Sequence, residues 1–398
     1  METRVKIKFT LYTWGANTYG QLGQGHGEDQ FEPQCSSHGL QRSLRVITGG
    51  GGHSVLLTES GDLLVCGQNH KGQLGLGHTS DVMTFNLCPL PGSRTVHQVS
   101  CGWDFTVILT DDGQVLACGS NAFGQLGISP QIKHTAKPLL IKSLGDPVIS
   151  VAAGLRHALA VTGSGRVYQW GTGLSTQARR LLTPQPVPVH FTSKEPCLVP
   201  GLDQETPHRV AAGSAHCVCL TVSGAVFLWG CNKHGQLCST ESFLALPTLL
   251  DQSLVNGEKV SAIYSGWTHL VAQTESGRVL TWGRADYGQL GRRGPSNDSA
   301  VAGTDVSYPV TSLPFEVRTL NGATQIVCGS EHNLAIVGNQ VFSWGWNEHG
   351  MCGDGSFGDI IQPQLIPTLK SFKALLIGCG AGHSMVLCCQ KNSEGFVS

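Results

Sequence analysis

The chain has 398 residues with 26 basic and 27 acidic side chains, a formal net charge of −1, which excludes attachment to nucleic acid or an anionic membrane by bulk charge alone. Glycine supplies 52 residues, while charged residues make up 13%, against roughly a quarter in an average domain. A glycine excess spread evenly along so long a chain points to one large architecture with many tight turns.

The opening METRVKIK has three basic residues and no apolar core, so neither a secretory signal nor a basic nucleic-acid-binding arm is expected. A first strand is predicted at about residues 9–14, ending on Trp14-Gly15, and a compact turn of the form N-x-x-G-Q-L-G follows it (17–23). Trp-Gly or Cys-Gly then recurs at Cys66, Cys118, Trp170, Trp229, Trp282 and Trp344, in steps of 52 to 62 residues. A second landmark, G-x-x-H, places His53, His157, His216, His269, His332 and His383 in register, with Phe105 in the seventh slot. Each stretch between the landmarks, such as HSVLLTESGDLLVCG (53–67) or HLVAQTESGRVLTWG (269–283), is two apolar runs around a Ser-Gly or Asp-Gly pair, which predicts a hairpin. The G-Q-L-G turn returns at 72–75, 124–127 and 288–291, and its leucine is expected to pack between sheets.

Self-similarity at this period predicts an all-β, seven-bladed β-propeller over residues 9–389, flanked by a short extension (1–8) and a short tail (390–398). The chain opens on a Trp-Gly segment and ends on a G-x-x-H segment, so closure requires the strand at 9–14 to pair with one near 382–389. Two segments depart from the period. After Trp170-Gly171, residues 172–196 lose the G-Q-L-G turn and add Arg179, Arg180 and several prolines; a protruding partner-binding loop is the functional reading, a solvated insertion the alternative. The other, 292–309, is polar and Gly/Ser-rich, contains the sequon Asn297-Asp298-Ser299, and is read as a plain loop.

Familiar chemistry is absent. GDGSFG (353–358) fits G-x-G-x-x-G but sits in a repeat turn with no βαβ unit, Gly49–52 lacks a following G-K-[ST], and Gly-His-Ser at 382–384 recurs at 52–54 as repeat scaffold. No cofactor is expected. The fifteen cysteines contain no C-x-x-C, and no stretch approaches the ~18 apolar residues of a membrane span. One histidine per repeat reads as structural, each donating a hydrogen bond to a neighbouring loop carbonyl. Replacement of Trp by Cys66 and Cys118 reads as an adaptable packing position.

The pattern G-x-x-H-x3-L-T-x2-G-x-V followed by W-G-x-N-x2-G-Q-L-G resembles the regulator of chromosome condensation family of seven-bladed propellers. ITGGGGHS (47–54), CGWDFT (101–106), AAGLRHA (152–158), SGWTHLVAQTE (265–275), WGRADYGQLGR (282–292) and SWGWNEHGMCGDG (343–355) are similar to the branch of that family linked to regulated secretion. The resemblance implies a guanine nucleotide exchange factor for a small GTPase, without covalent catalysis. It also implies an exocyst subunit as a further partner and a cytoplasmic and nuclear distribution. The family also contains scaffolds and photoreceptors, so a non-exchanging docking propeller is the rival reading. By the same resemblance, the two residues before each landmark histidine line one face near the central channel. Those positions hold Trp103, Asp104, Arg156, Trp267, Thr268 and Glu331, either as interface anchors or with the tryptophans as a channel plug.

Overall fold

Each predicted hairpin is present as the two middle strands of a four-stranded antiparallel sheet, in a computed structural model that describes residues 9–36, 43–293 and 310–390. Seven such sheets follow in chain order: blade 1 (44–87), blade 2 (96–140), blade 3 (148–198), blade 4 (207–249), blade 5 (260–316), blade 6 (325–365) and blade 7. Blade 7 is assembled from both ends of the chain. Its two inner strands are Phe372–Cys379 and His383–Gln390, its two outer strands Phe9–Gly15 and Gln30–Cys35, and the ends pair from Phe9↔Cys389 to Gly15↔His383. The expected closure is therefore as read. The sequon and most of the 292–309 insertion lie outside the described residues, as do 1–8 and 391–398.

The second strand of each blade is buried almost throughout, and the alternating positions of its neighbours fill the seams between blades. The landmark tryptophans Trp14, Trp170, Trp229, Trp282 and Trp344 are fully buried, as is the turn leucine at Leu22, Leu74, Leu126, Leu237 and Leu290.

Glycine is required at two repeat positions for different reasons. A Cβ on Gly50, Gly154, Gly213, Gly266, Gly329 or Gly380 would overlap the imidazole three residues on, and one on Gly102 would overlap the Phe105 ring. That is the origin of G-x-x-H. The glycine of Trp-Gly has φ between +93° and +111° in every copy, where a side chain is strained.

The histidines are structural, but their partners correct the sequence reading. Most donate to a polar side chain of the next blade rather than to a loop carbonyl: His53 Nε2 to Thr106 Oγ1 (2.9 Å), His383 to Ser54 Oγ (2.7 Å), His332 to Ser384 Oγ (2.9 Å), His269 to Asn333 Oδ1 (2.7 Å) and His216 to Ser265 Oγ (2.8 Å). Only His157 uses a carbonyl, that of His216 at 3.3 Å. The accepting hydroxyls of Ser54, Thr106 and Ser384 in turn donate to the carbonyls of Gln21, Gln73 and Met351, which fixes the proton on the imidazole Nε2. At Phe105 the equivalent position of the next blade is Ala158, which offers no side-chain acceptor.

The Trp-Gly position is likewise a donor site as well as a packing site. Trp170, Trp282 and Trp344 donate Nε1–H to the carbonyls of Gln125, Gln236 and Gln289 at 2.9 to 3.0 Å, and the thiols of Cys66 and Cys118 reach the equivalent carbonyls of Gln21 and Gln73 at 3.5 Å. Cysteine thus keeps the bond that tryptophan makes, in a weaker form.

The segment after Trp170 corrects a second expectation. Instead of a protruding loop it forms helix α1, Ser175–Leu182, which lies against blade 4. Leu174 and Ala178 enter the core beside Phe191, Trp229 and Phe243, and Arg179 and Arg180 remain exposed. An isolated helix this short is unstable, so packing holds it.

Candidate protein-binding face

A closed ring of backbone hydrogen bonds crosses all seven seams just before the landmark residues. Gly51 N–H bonds Trp103 O, Trp103 bonds Leu155, Leu155 bonds Gly213, Ser214 bonds Trp267, Trp267 bonds Ser330, Ser330 bonds Ala381, and Ala381 bonds Gly50, at 2.8 to 3.3 Å. This girdle holds the residues before each histidine around one mouth of the channel. In six blades the residue after Trp-Gly or Cys-Gly donates its N–H to the residue preceding the landmark, as Arg284 does to Thr268 and Trp346 to Glu331, so both positions share one face.

Trp103 and Trp267 meet across the channel with ring centroids 5.6 Å apart and planes tilted by 57°. Beneath them is a cavity of about 80 Å³ lined by glycines, Cys101, Ser265, Cys328 and Cys379. The pair covers the channel, yet Trp103 remains 39% exposed, so it presents apolar surface outward at the same time. Burial pushes the Cys101 thiol up to about 12, and desolvation likewise raises Cys328 and Cys379, which favours the protonated thiols.

Arg156 is exposed and stacks its guanidinium 4.6 Å above the Phe123 ring. Asp104 is half-buried; desolvation raises its pKa, and His70, Arg156 and Lys71 pull against that rise. These two supply opposite charges beside Trp103.

Thr268 and Glu331 play a different part. Both are buried, and Thr268 Oγ1 and Gln289 Nε2 donate to the Glu331 carboxylate at 2.7 to 2.8 Å, with Arg284 Nη1 and His269 Nδ1 each 3.9 Å away. Glu331 is therefore a strut between blades 5 and 6 that orients Arg284. Arg284 bonds Asp286 at 2.9 Å and stacks on Tyr287 at 4.7 Å; Tyr287 continues to Trp346 at 6.3 Å. The sequence reading missed Arg284, Tyr287 and Trp346. The signal was available in the residue that follows each Trp-Gly, which varies among repeats as the pre-histidine residues do.

Arg179 and Arg180 are exposed on α1, in the segment that joins the third strand of blade 3 to its fourth. GDGSFG is a turn, in which Asp354 accepts from Ser356 N–H and from Asn347 Nδ2. Among the described residues no group of three or more His, Cys, Asp or Glu could hold a metal ion, and no helix is long and apolar enough to cross a membrane.

The family model described as RCC1-like domain matches residues 10–386, nearly the whole ring. The chain belongs to the RCC1-like domain family. Within it, the chain is 52% identical over 394 residues to a Mus musculus protein named secretion-regulating guanine nucleotide exchange factor, covering 96% of this chain and 84% of that protein. It is also 31% identical to the ultraviolet-B receptor of Arabidopsis thaliana, over 90% of this chain and 78% of the receptor. Prp20p of Saccharomyces cerevisiae, solved by crystallography, shares the fold with a TM-score of 0.82 at 22% identity, covering 98% of this chain and 93% of that one. RCC1-like rings thus carry different named functions, and the face rather than the ring must distinguish them.

Proposed function

We propose that this RCC1-like propeller is a guanine nucleotide exchange factor for a small GTPase in regulated secretion, and that the GTPase docks on the face around Trp103 and Trp267. The observation that carries the reading is the 52% identity over 96% of the chain to a protein named for that activity. The site chemistry supports it. Two aromatic anchors supply apolar contact, while Asp104 and Arg156 can fix orientation through charge-assisted hydrogen bonds. An exchange factor makes and breaks no covalent bond. It binds the nucleotide-free GTPase more tightly than the loaded form, and that differential affinity lowers the cost of nucleotide release. An exocyst subunit as a second partner is a further part of the proposal, in keeping with the secretion named in the relatives; action in both cytoplasm and nucleus is proposed on the family resemblance alone. The test is capture of GTPases in nucleotide-depleted buffer, followed by release of labelled GDP from each one retained. Acceleration by the wild-type protein supports exchange; capture without acceleration assigns the protein to docking alone.

A further inference from the structure

A groove of about 810 Å³ opens at the rim of the same face, between helix α1 and the upper turns of blades 4 and 5. Its volume lies in the range of sites that hold a ligand or a short peptide segment. It exists because residues 172–196 abandon the repeat: α1 supplies one wall, with Arg180 directed along it, and the turn at 231–242 supplies the other with Lys233 and His234. The third side carries Arg284 and Asp286, which bond each other at 2.9 Å. Arg284 also lies 3.9 Å from Glu331, so its charge is compensated within the fold. Arg180 and Lys233 have no ion-pair partner among the described residues, and Glu241 is the remaining carboxylate of the lining. Three cations, Arg180, Lys233 and Arg284, thus line the groove against two carboxylates, Asp286 and Glu241, an excess of one positive charge in a chain whose net charge is −1. His234 reports the same field: burial lowers its pKa first, and the positive charges of Arg284 and Lys233 lower it further, ahead of the opposing pull of Glu331 and Asp286.

We propose that this groove binds an extended, acidic peptide segment of a partner protein, with Arg180 and Lys233 as the cations that recognise its carboxylates. The hydroxyl and amide side chains between the charges add donors that carboxylate oxygens accept from. A small cationic excess in a concave recess suits a few carboxylates, and is too little for the run of phosphate contacts that holds nucleic acid. The proposal does not rest on GTPase exchange, because the groove lies outside the Trp103/Trp267 contact.

The test is fluorescence anisotropy of the full chain with a labelled octaglutamate peptide, an octaglutamine peptide of equal length, and a single-stranded oligonucleotide of equal charge. The expected result is saturable binding of octaglutamate that falls at least tenfold between 100 and 400 mM salt, on the order expected when exposed charges are screened. Arg180→Glu combined with Lys233→Glu should weaken it at least tenfold, with an unchanged melting temperature, and octaglutamine should not bind. Absence of binding, equal binding of both peptides, tighter binding of the oligonucleotide, or wild-type affinity in the double variant would each overturn the proposal. Single variants at Arg180 and Lys233 decide the matter in the same way if the double variant fails to fold.

Discussion

After Cys66 and after Trp170 the chain leaves the same strand position by two routes. In the first, Asn69 organises a turn by accepting from Leu74 N–H and donating to the carbonyls of His78 and Ser80, and the carbonyl of Gln73 then receives Thr106 and Cys118 of the next blade. In the second there is no such turn. The next tryptophan, Trp229, donates instead to the Gln169 side chain at 2.8 Å, and Leu174, Ala178 and Phe191 fill the seam that the turn leucine seals elsewhere. The two solutions show that the repeat conserves two jobs at each seam: an acceptor for the landmark donor and an apolar plug. Where both are supplied by other means, the outer surface is released to take a new shape, and α1 with its groove is the result.

The largest effect expected along this comparison comes from removing a seam altogether. Deletion of residues 1–15 takes away the strand Phe9–Gly15, which carries the closing pairs of blade 7. Exposed strand edges and an open ring should abolish cooperative melting and cause aggregation; a truncated protein that melts at the full-length temperature would contradict closure by the termini.

A second test acts on all seams with a histidine relay. Burial holds His53 and His157 down at about 4 and His216, His332 and His383 at about 3. An unfolded histidine titrates near 6.5, so between that pH and about 3 to 4 the unfolded chain binds more protons. The contribution is fully present above pH 6.5 and is lost as pH falls, at about 1.4 kcal/mol per pH unit for each histidine. Melting temperature should therefore drop steeply from pH 6.5 to 5, with net proton uptake on unfolding measured by calorimetry in buffers of different ionisation enthalpy. A flat profile would show that the imidazoles are not buried neutral.

Smaller effects separate the two seam solutions. Gln169→Ala removes the acceptor of Trp229 and should cost about 1 to 3 kcal/mol in denaturant unfolding. Gln236→Ala leaves the backbone carbonyl that serves Trp282 in place and should cost less. Equal losses would mean that the side-chain acceptor has no special role at the irregular seam. Smallest of all, Cys66→Ala removes a weak thiol donor and a small buried group, and should cost no more than about 1 to 2 kcal/mol by the same measurement.

Blade number, hairpin positions and the closing pair were legible because each rests on landmarks repeated seven times, and a repeated signal averages out local ambiguity. The hydrogen-bond partners were not legible, since the acceptor of each histidine or tryptophan lies in a different repeat and becomes its neighbour only once the ring closes. Helix α1 was missed for a related reason. Its eight residues are too few to display a helical period, and Leu174 offers no side-chain cap to mark its start. At the face, Trp103, Trp267, Asp104 and Arg156 could be grouped by repeat equivalence. That Glu331 turns inward could not, because its burial depends on Thr268, Gln289 and Arg284 converging from blade 5.

The central claim is that the face built on Trp103 and Trp267 drives nucleotide release from a small GTPase. The direct measurement is the rate of labelled-GDP release from the captured GTPase with wild-type protein, Trp267→Ala and Arg156→Ala, each checked for an unchanged melting temperature. The account predicts acceleration by the wild type and at least a tenfold weaker effect in either variant, equivalent to ~1.4 kcal/mol. Wild-type acceleration in both variants would contradict it and place the exchange surface elsewhere on the ring.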